Sequence, residues 1–112
     1  MLELSVILQV QKLYSSIARI GEKLPAIKRQ TLGRRMEETT LSLMEYLIMA
    51  KYAPKAHKGA YLIKTVALTE MLQFYLRILS DEKLANETTI FQLQAKAVEI
   101  GRQIGGWRKS VS

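Results

Sequence analysis

Residues 90–111 have the sequence IFQLQAKAVEIGRQIGGWRKSV, and their apolar side chains recur at spacings of 3, 4, 3, 4, 3 and 4. This spacing keeps them on one side of an α-helix, because the helix turns once every ~3.6 residues. Asn86 is well placed to cap the start of this helix, since an asparagine side chain accepts a hydrogen bond from a free backbone N–H. The pattern predicts a long helix with one buried face that includes Trp107. The predicted buried positions are Ile90, Leu93, Ala97, Ile100, Ile104, Trp107 and Val111.

The same periodicity predicts three more helices earlier in the chain. The first covers about residues 2–23 and stops before Pro25, because a proline disfavours helical backbone in the residue before it. The second begins near Thr31 and ends before Pro54, and the third spans roughly residues 56–80. Their predicted inner faces are Val6, Val10, Leu13, Ile17, Ile20 and Leu24, then Leu32, Met36, Leu43, Leu47 and Ala50, and finally Leu62, Leu72, Leu76 and Leu79.

The connections between these helices are short, so neighbouring helices must run antiparallel along most of their length. A chain of 112 residues supports one hydrophobic core rather than two. No repeat, linker or strand-like alternation interrupts the helical pattern. We therefore predict an all-α, up-down-up-down antiparallel four-helix bundle that occupies residues 1–112 as a single domain.

The composition excludes several kinds of site. The chain has no cysteine, which rules out disulfide bonds, thiolate metal sites and cysteine nucleophiles. Charged or amide side chains interrupt every long apolar stretch before it reaches the ~18 residues that a membrane-spanning helix needs. We expect a cytoplasmic protein that does not associate with membranes and that holds no metal and no cofactor.

The titratable residues do not form a pattern typical of catalysis. His57 is the only histidine, and it lies among lysines with no carboxylate nearby in sequence. Asp81 is the only aspartate and stands in a polar segment typical of a turn. The adjacent Glu37 and Glu38 point about 100° apart on a helix, so they cannot act together as an acid/base pair. We therefore predict that the protein is not an enzyme.

Positive charge is the most informative feature of the composition. Seventeen Lys and Arg against ten Asp and Glu give a net charge of +7, which favours polyanionic partners such as RNA or DNA. No acidic residue occurs from Tyr46 through Thr69, and none follows Glu99. In an up-down-up-down bundle these two segments meet at one end. We name this end the basic pole, and its predicted nucleic-acid-binding residues are Lys51, Lys55, Lys58, Lys64, Arg102, Arg108 and Lys109.

A simpler explanation covers part of the basic pole. Lys51, Arg108 and Lys109 come late in their helices, where cations complement the negative end of the helix dipole. Both explanations can hold, because dipole complementarity does not require seven cations.

The two middle helices carry more apolar residues than one bundle core can bury. Ten of thirteen residues are apolar between Leu41 and Ala53, and fourteen of twenty between Ala60 and Leu79, whereas a core-facing helix needs about three in seven. The surplus predicts a homo-oligomer in which these side chains are buried between subunits. The alternative is that flanking helices of the same bundle cover part of the surplus. The predicted interface residues are Leu41, Met44, Ile48, Tyr52, Ile63, Phe74, Tyr75 and Ile78.

Several segments together resemble a known family. These are TLGRRME at residues 31–37, LMEYLI at 43–48, MLQFYLR at 71–77 and EIGRQIGGW at 99–107. They are similar, in the same order, to segments of Avd, the accessory variability determinant of diversity-generating retroelements. The resemblance covers nearly the whole chain, and the Gly-Arg-x-x-Gly-Gly-Trp ending is its most specific part.

The resemblance implies a four-helix protomer that assembles into a pentameric, positively charged barrel. It also implies association with the element's reverse transcriptase and template RNA during mutagenic retrohoming, without catalysis. Arg77 matches one of the family's third-helix arginines, which contribute to binding of nucleic acid and polymerase. Gln73 stands where a second arginine can occur.

Two alternatives to this function are open at the level of sequence. The first is the related four-helix family encoded in rRNA intervening sequences, but its Ser-Ile-Pro-Ser-Asn-Ile-Ala-Glu-Gly run is absent. Here Met-Glu-Glu-Thr-Thr follows Arg34-Arg35 instead. The second is a purely structural helical scaffold with incidental positive charge, which would bind polyanions only at very low salt.

Overall fold

The computed structural model describes residues 2–112 and shows four long helices with no strand among these residues. We name them α1 to α4 in chain order. Helix α2 is continuous through three parts, the second of which is a π-helical turn. The bounds are Leu2–Lys23 for α1, Ala26–Lys28, Arg29–Gly33 and Arg34–Tyr52 for α2, Lys55–Asp81 for α3, and Glu87–Val111 for α4. The predicted all-α fold is confirmed.

The four helices form an elongated bundle of 44 × 23 × 19 Å. Each helix packs against the next one in sequence, and α4 returns to pack against α1. Gln9 of α1 and Gln103 of α4 join these two helices, because each side-chain amide donates a hydrogen bond to the other's carbonyl oxygen, at 3.0 and 3.1 Å. Within the described residues, none of the helices has the length and apolar character needed to cross a membrane.

The core is built from the predicted inner faces. Nearly all of the predicted positions are buried, including Trp107, which is only 4% exposed. Leu32 and Val111 are half-buried and pack against the edge of the core. The predicted helical stripes are therefore correct.

Three buried threonines also belong to the core, and the apolar pattern did not predict them. Thr40, Thr65 and Thr69 lie on the inner faces of α2 and α3. Each hydroxyl donates to a carbonyl of its own helix, at distances of 2.6 to 2.8 Å. This local bond removes the cost of burying a polar group without a partner.

The predicted start of α2 near Thr31 was wrong, because the helix begins at Ala26. Pro25 ends the preceding helix, but its carbonyl accepts a hydrogen bond from Arg29 N at 2.8 Å and so opens the next one. Pro54 likewise stands directly before α3, which begins at Lys55, and its carbonyl accepts a hydrogen bond from His57 N at 2.8 Å. A proline can thus separate two helices without a longer loop, since it lacks only the N–H that a helix start leaves free.

The start of α2 packs closely against the end of α1. A Cβ atom added to Gly33 would lie 3.7 Å from the Cα of Gly21 and 3.4 Å from a methyl group of Leu24. The π-helical turn at Arg29–Gly33 therefore lies at this close approach of α1 and α2. At the connection between α3 and α4, Asn86 caps α4 as predicted, because its Oδ1 accepts a hydrogen bond from Thr89 N at 3.0 Å.

Candidate nucleic-acid interface

The bundle brings the α2–α3 connection and the end of α4 to the same end, as the sequence predicted. Lys55, Arg108 and Lys109 are exposed there. Among the described residues, none of these three takes part in an ion pair. Their charges are therefore available to a ligand, and they form the open part of the basic pole.

The start of α1 also lies at this end, although the predicted basic pole did not include it. Glu3 stands in the first turn of α1 and is half-buried. The basic pole therefore includes one acidic residue, Glu3, although residues 46–69 and the segment after Glu99 contain none. The up-down-up-down topology itself carries this information, because the first turn of α1 and the last turn of α2 must share an end.

Lys58 has a structural partner inside the bundle. Its Nζ donates to the carbonyl oxygens of Ala50 at 2.8 Å and Lys51 at 2.9 Å. These carbonyls belong to the last turn of α2, where the helix offers them no N–H partner. Lys58 therefore caps the C-terminus of α2.

Lys51 and Lys64 both lie over aromatic rings. Lys51 Nζ is 4.8 Å from the centre of the Tyr52 ring, and Lys64 Nζ is 5.1 Å from the centre of the Tyr46 ring. Cations over aromatic rings gain a modest attraction, and here Lys64 is exposed whereas Lys51 is half-buried. Lys64 lies nine residues beyond Lys55 on α3, so it stands roughly 13 Å along the helix from the open part of the pole.

Arg102 is engaged by a carboxylate. Its Nε and Nη2 donate to the two carboxylate oxygens of Glu99 at 3.0 and 2.6 Å. These bonds, with a further one from Gln103, lower the pKa of Glu99 to about 2. Glu99 is therefore ionised at neutral pH and neutralises Arg102 locally.

Arg77 lies far from the basic pole. It is exposed on α3, and its guanidinium is 5.7 Å from the centre of the Phe74 ring. Together with Glu70, Gln73 and Gln94 it lines a small cleft of about 110 Å³. Arg77 follows Lys55 by 22 residues, which corresponds to roughly 33 Å along the helix. The structure therefore does not bring Arg77 together with the pole, and only an extended ligand could touch both.

Most of the predicted interface residues are exposed. Six of the eight have 37–77% of their surface accessible, whereas Met44 and Tyr75 are half-buried and pack against the core. The flanking helices thus absorb only part of the surplus. The exposed six are Leu41, Ile48, Tyr52, Ile63, Phe74 and Ile78.

These residues lie on two different sides of the bundle. Leu41, Met44 and Ile48 follow Glu37 at spacings of 4, 3 and 4, so they share its side of α2. Glu37 faces α1, where it accepts a hydrogen bond from Tyr14 at 3.4 Å. Leu4 and Leu8 are also exposed, but they lie beside Gln9 and Lys12, on a side of α1 that faces away from this stripe. We name the surface along this edge of α2 the α1–α2 face, and it contains Leu41, Met44 and Ile48.

The second surface lies on the outer side of α3. Ile63, Phe74 and Ile78 are exposed there, together with Met71, and we name these four residues the α3 face. The opposite edge of α2 separates it from the α1–α2 face, since Tyr46 on that edge receives Lys64 of α3. The apolar surplus that the sequence predicts as one set is divided between two surfaces in the structure.

The described residues contain no cluster of three or more histidine, aspartate or glutamate side chains that could hold a metal ion. No curated protein sequence matches the chain. A family model described as bAvd-like matches residues 5–111. The match extends over all four helices and includes both the basic pole and the Gly-Gly-Trp segment near the end of α4. The chain therefore belongs to the bAvd-like family, whose members are accessory, generally non-catalytic proteins of diversity-generating retroelements.

Proposed function

We propose that the protein binds the phosphate backbone of nucleic acid and acts, without catalysis, as an accessory to the reverse transcriptase of its retroelement. The observation that carries the proposal is the exposure of Lys55, Arg108 and Lys109 at one end of the bundle. Membership of the bAvd-like family supports the retroelement and reverse-transcriptase part. The net charge of +7 supports a polyanionic ligand.

The mechanism of binding is the release of counterions from phosphates. A site that neutralises Z phosphates loses affinity with a log–log salt slope of about −0.9Z on duplexes and −0.7Z on single strands. Base specificity is expected to be low, because only 7% of the residues are aromatic and few can stack on bases. Sequence selection then comes from the polymerase or from the shape of the template RNA.

Each protomer offers only a few free cations at the basic pole, because Lys58 and Arg102 have partners within the bundle. Assembly compensates for this, since several weak sites on one particle add through effective concentration. A ring of five protomers would carry 5 × 7 = +35 formal charges. Family resemblance supports the number five.

The two apolar faces support a ring rather than a symmetric dimer. The α1–α2 face and the α3 face differ in their residues and lie on different sides of the protomer. Pairing of one face with the other on the next subunit gives a head-to-tail contact, and repetition of such a contact gives a closed ring when the rotation between neighbours divides a full turn evenly. We propose this contact as the subunit interface of a homo-oligomer.

The experiment compares two variants that lose the same charge. The pole variant carries Lys55→Gln, Arg108→Gln and Lys109→Gln, and leaves Lys58 in place because it caps α2. The control variant replaces three other exposed cations, Arg34, Arg35 and Lys83, by glutamine. Binding is followed by fluorescence anisotropy with a labelled oligouridylate longer than the 44 Å bundle, between about 50 and 200 mM salt.

The pole variant should fold normally and lose affinity, with a salt slope smaller than the wild-type slope by about 2. The control variant should stay close to wild type. Equal losses in the two variants would show that only diffuse charge matters. Wild-type binding that disappears above very low salt would favour the alternative of a structural scaffold with incidental charge.

A further inference from the structure

A groove between α1 and α4 lies near the end of the bundle opposite the basic pole. Its cavity volume is about 390 Å³, within the range of cavities that hold small ligands. Arg19 and Lys23 line it from α1, and Lys96 lines it from α4. Ile20 and Leu93 are buried at its base. Hydroxyl and amide side chains, including Thr89 and Gln92, complete the walls.

No carboxylate lines this groove, although it is lined by three cations. Two acidic residues beside the α3–α4 connection, Glu82 and Glu87, are engaged elsewhere. Glu82 pairs with Lys28 at 3.0 Å, and Glu87 accepts hydrogen bonds from Ser80 at 3.0 and 3.2 Å. Among the described residues, the ion pairs include none of the groove cations.

Two acid-free segments of the sequence form most of the groove, and they become neighbours only in the folded bundle. Residues 4–21 and residues 88–98 are each free of Asp and Glu, and α1 and α4 bring these two segments side by side. Arg19 is held in place by a hydrogen bond from its Nη2 to Ser16 Oγ at 3.2 Å. Three like charges with no counter-ion repel one another, and a bound anion removes that repulsion.

The cationic surface continues along α1 beyond the groove. Lys12, Ser16, Arg19 and Lys23 follow one another at spacings of 4, 3 and 4, so they form one stripe of the helix. The stripe extends from the groove in the direction of the basic pole. A linear track of donors suits a polymer of phosphates better than a single small anion.

We propose that the α1–α4 groove is a second site for the phosphates of a nucleic-acid strand, separate from the basic pole. The identity of the ligand as nucleic acid rests on the proposed function, whereas the site itself rests on Arg19, Lys23 and Lys96. Lys96 precedes Arg108 by 12 residues on α4, and Lys23 is about 20 residues from the start of α1, so the groove cations lie roughly 18 to 30 Å from the pole. One strand can therefore lie along the bundle and contact both sites.

The test uses a groove variant with Arg19→Gln, Lys23→Gln and Lys96→Gln. All three residues are exposed, so the variant should melt at the wild-type temperature. Its controls are the equal-charge variant at Arg34, Arg35 and Lys83, and a charge-preserving variant with Lys23→Arg and Lys96→Arg. Affinity for the labelled oligouridylate and its salt slope are measured for each protein.

The groove variant should bind about tenfold more weakly than the equal-charge control, with a slope smaller by about 2. The charge-preserving variant should bind like wild type. In wild-type protein, the amide NMR signals of Thr89 and Gln92 should shift with oligouridylate at concentrations where inorganic phosphate has no effect.

Three results would overturn parts of the reasoning in distinguishable ways. Equal binding by the groove variant and its equal-charge control would overturn the groove proposal alone, provided that the pole variant is still defective. Equal shifts with inorganic phosphate and oligouridylate would show a small-anion site rather than a strand site. No binding of oligouridylate by wild-type protein would remove the proposed function together with the ligand of the groove.

Discussion

Replacement of Lys58 by methionine tests whether this lysine belongs to the architecture or to the binding surface. The Lys58 ammonium donates to two carbonyls of the last turn of α2, at 2.8 and 2.9 Å. Methionine keeps most of the aliphatic stem and removes the donors. A hydrogen bond to a charged group contributes about 1.5–3 kcal/mol, and partial exposure of the site reduces this value. We expect Lys58→Met to destabilise the protein by about 2 kcal/mol in total.

The loss should be visible in thermal unfolding followed by far-UV circular dichroism. For a domain of 112 residues, 1 kcal/mol corresponds to about 4 °C in Tm, so the expected decrease is about 8 °C. Lys55→Met is the matched control, because Lys55 lies in the same connection, is exposed and should change Tm by less than about 2 °C. If the two variants melt at the same temperature, Lys58 is not a helix cap and its charge should be counted with the open part of the pole.

Three further predictions follow from packing. Trp107→Ala should lower the free energy of unfolding by about 3–5 kcal/mol, because Trp107 is 4% exposed. Urea unfolding measures this loss. An unchanged midpoint and water-like indole fluorescence would show that α4 ends earlier. Gly106→Ala should stabilise the helix by up to about 1 kcal/mol, since an added Cβ has no neighbour within 4 Å, and a destabilised variant would reveal a contact with another molecule. Light scattering should give about five times 12.8 kDa, and Ile48→Glu or Phe74→Glu alone should release monomers. The control is Phe91→Glu, which should not, because Phe91 is exposed on α4 outside both apolar faces. A wild-type monomer at micromolar concentration would refute the ring.

The helices and their inner faces could be predicted because burial on a helix has a period that the sequence displays directly. Val6 to Leu24 and Ile90 to Trp107 keep that period without a break, and all of these inner positions are buried. The start of α2 could not be predicted in the same way, since Pro25 can either precede a loop or open a helix. The buried Thr65 and Thr69 were missed because their polarity is satisfied only by local hydrogen bonds, which a hydropathy pattern does not show.

The candidate site was less predictable, because its properties depend on which helices are neighbours. Lys58 and Lys55 are equivalent in the sequence, and only the fold shows that one of them reaches the end of α2. The groove cations Arg19 and Lys96 are 77 residues apart in the chain. Charge counted along the chain finds a pole where one segment is basic, but it does not find a site that two distant helices share.

The reciprocal amide pair between Gln9 and Gln103 has a consequence for the order of folding. It joins residues 94 positions apart, so it closes a loop of nearly the whole chain, whereas α2 and α3 meet across a single short turn. The local hairpins should therefore form first and the α1–α4 seam last, because contacts distant in sequence carry a larger entropic cost of closure. Hydrogen exchange should accordingly detect opening of the seam before global unfolding, and a strand bound across the groove would slow that opening by holding the first and last helices together.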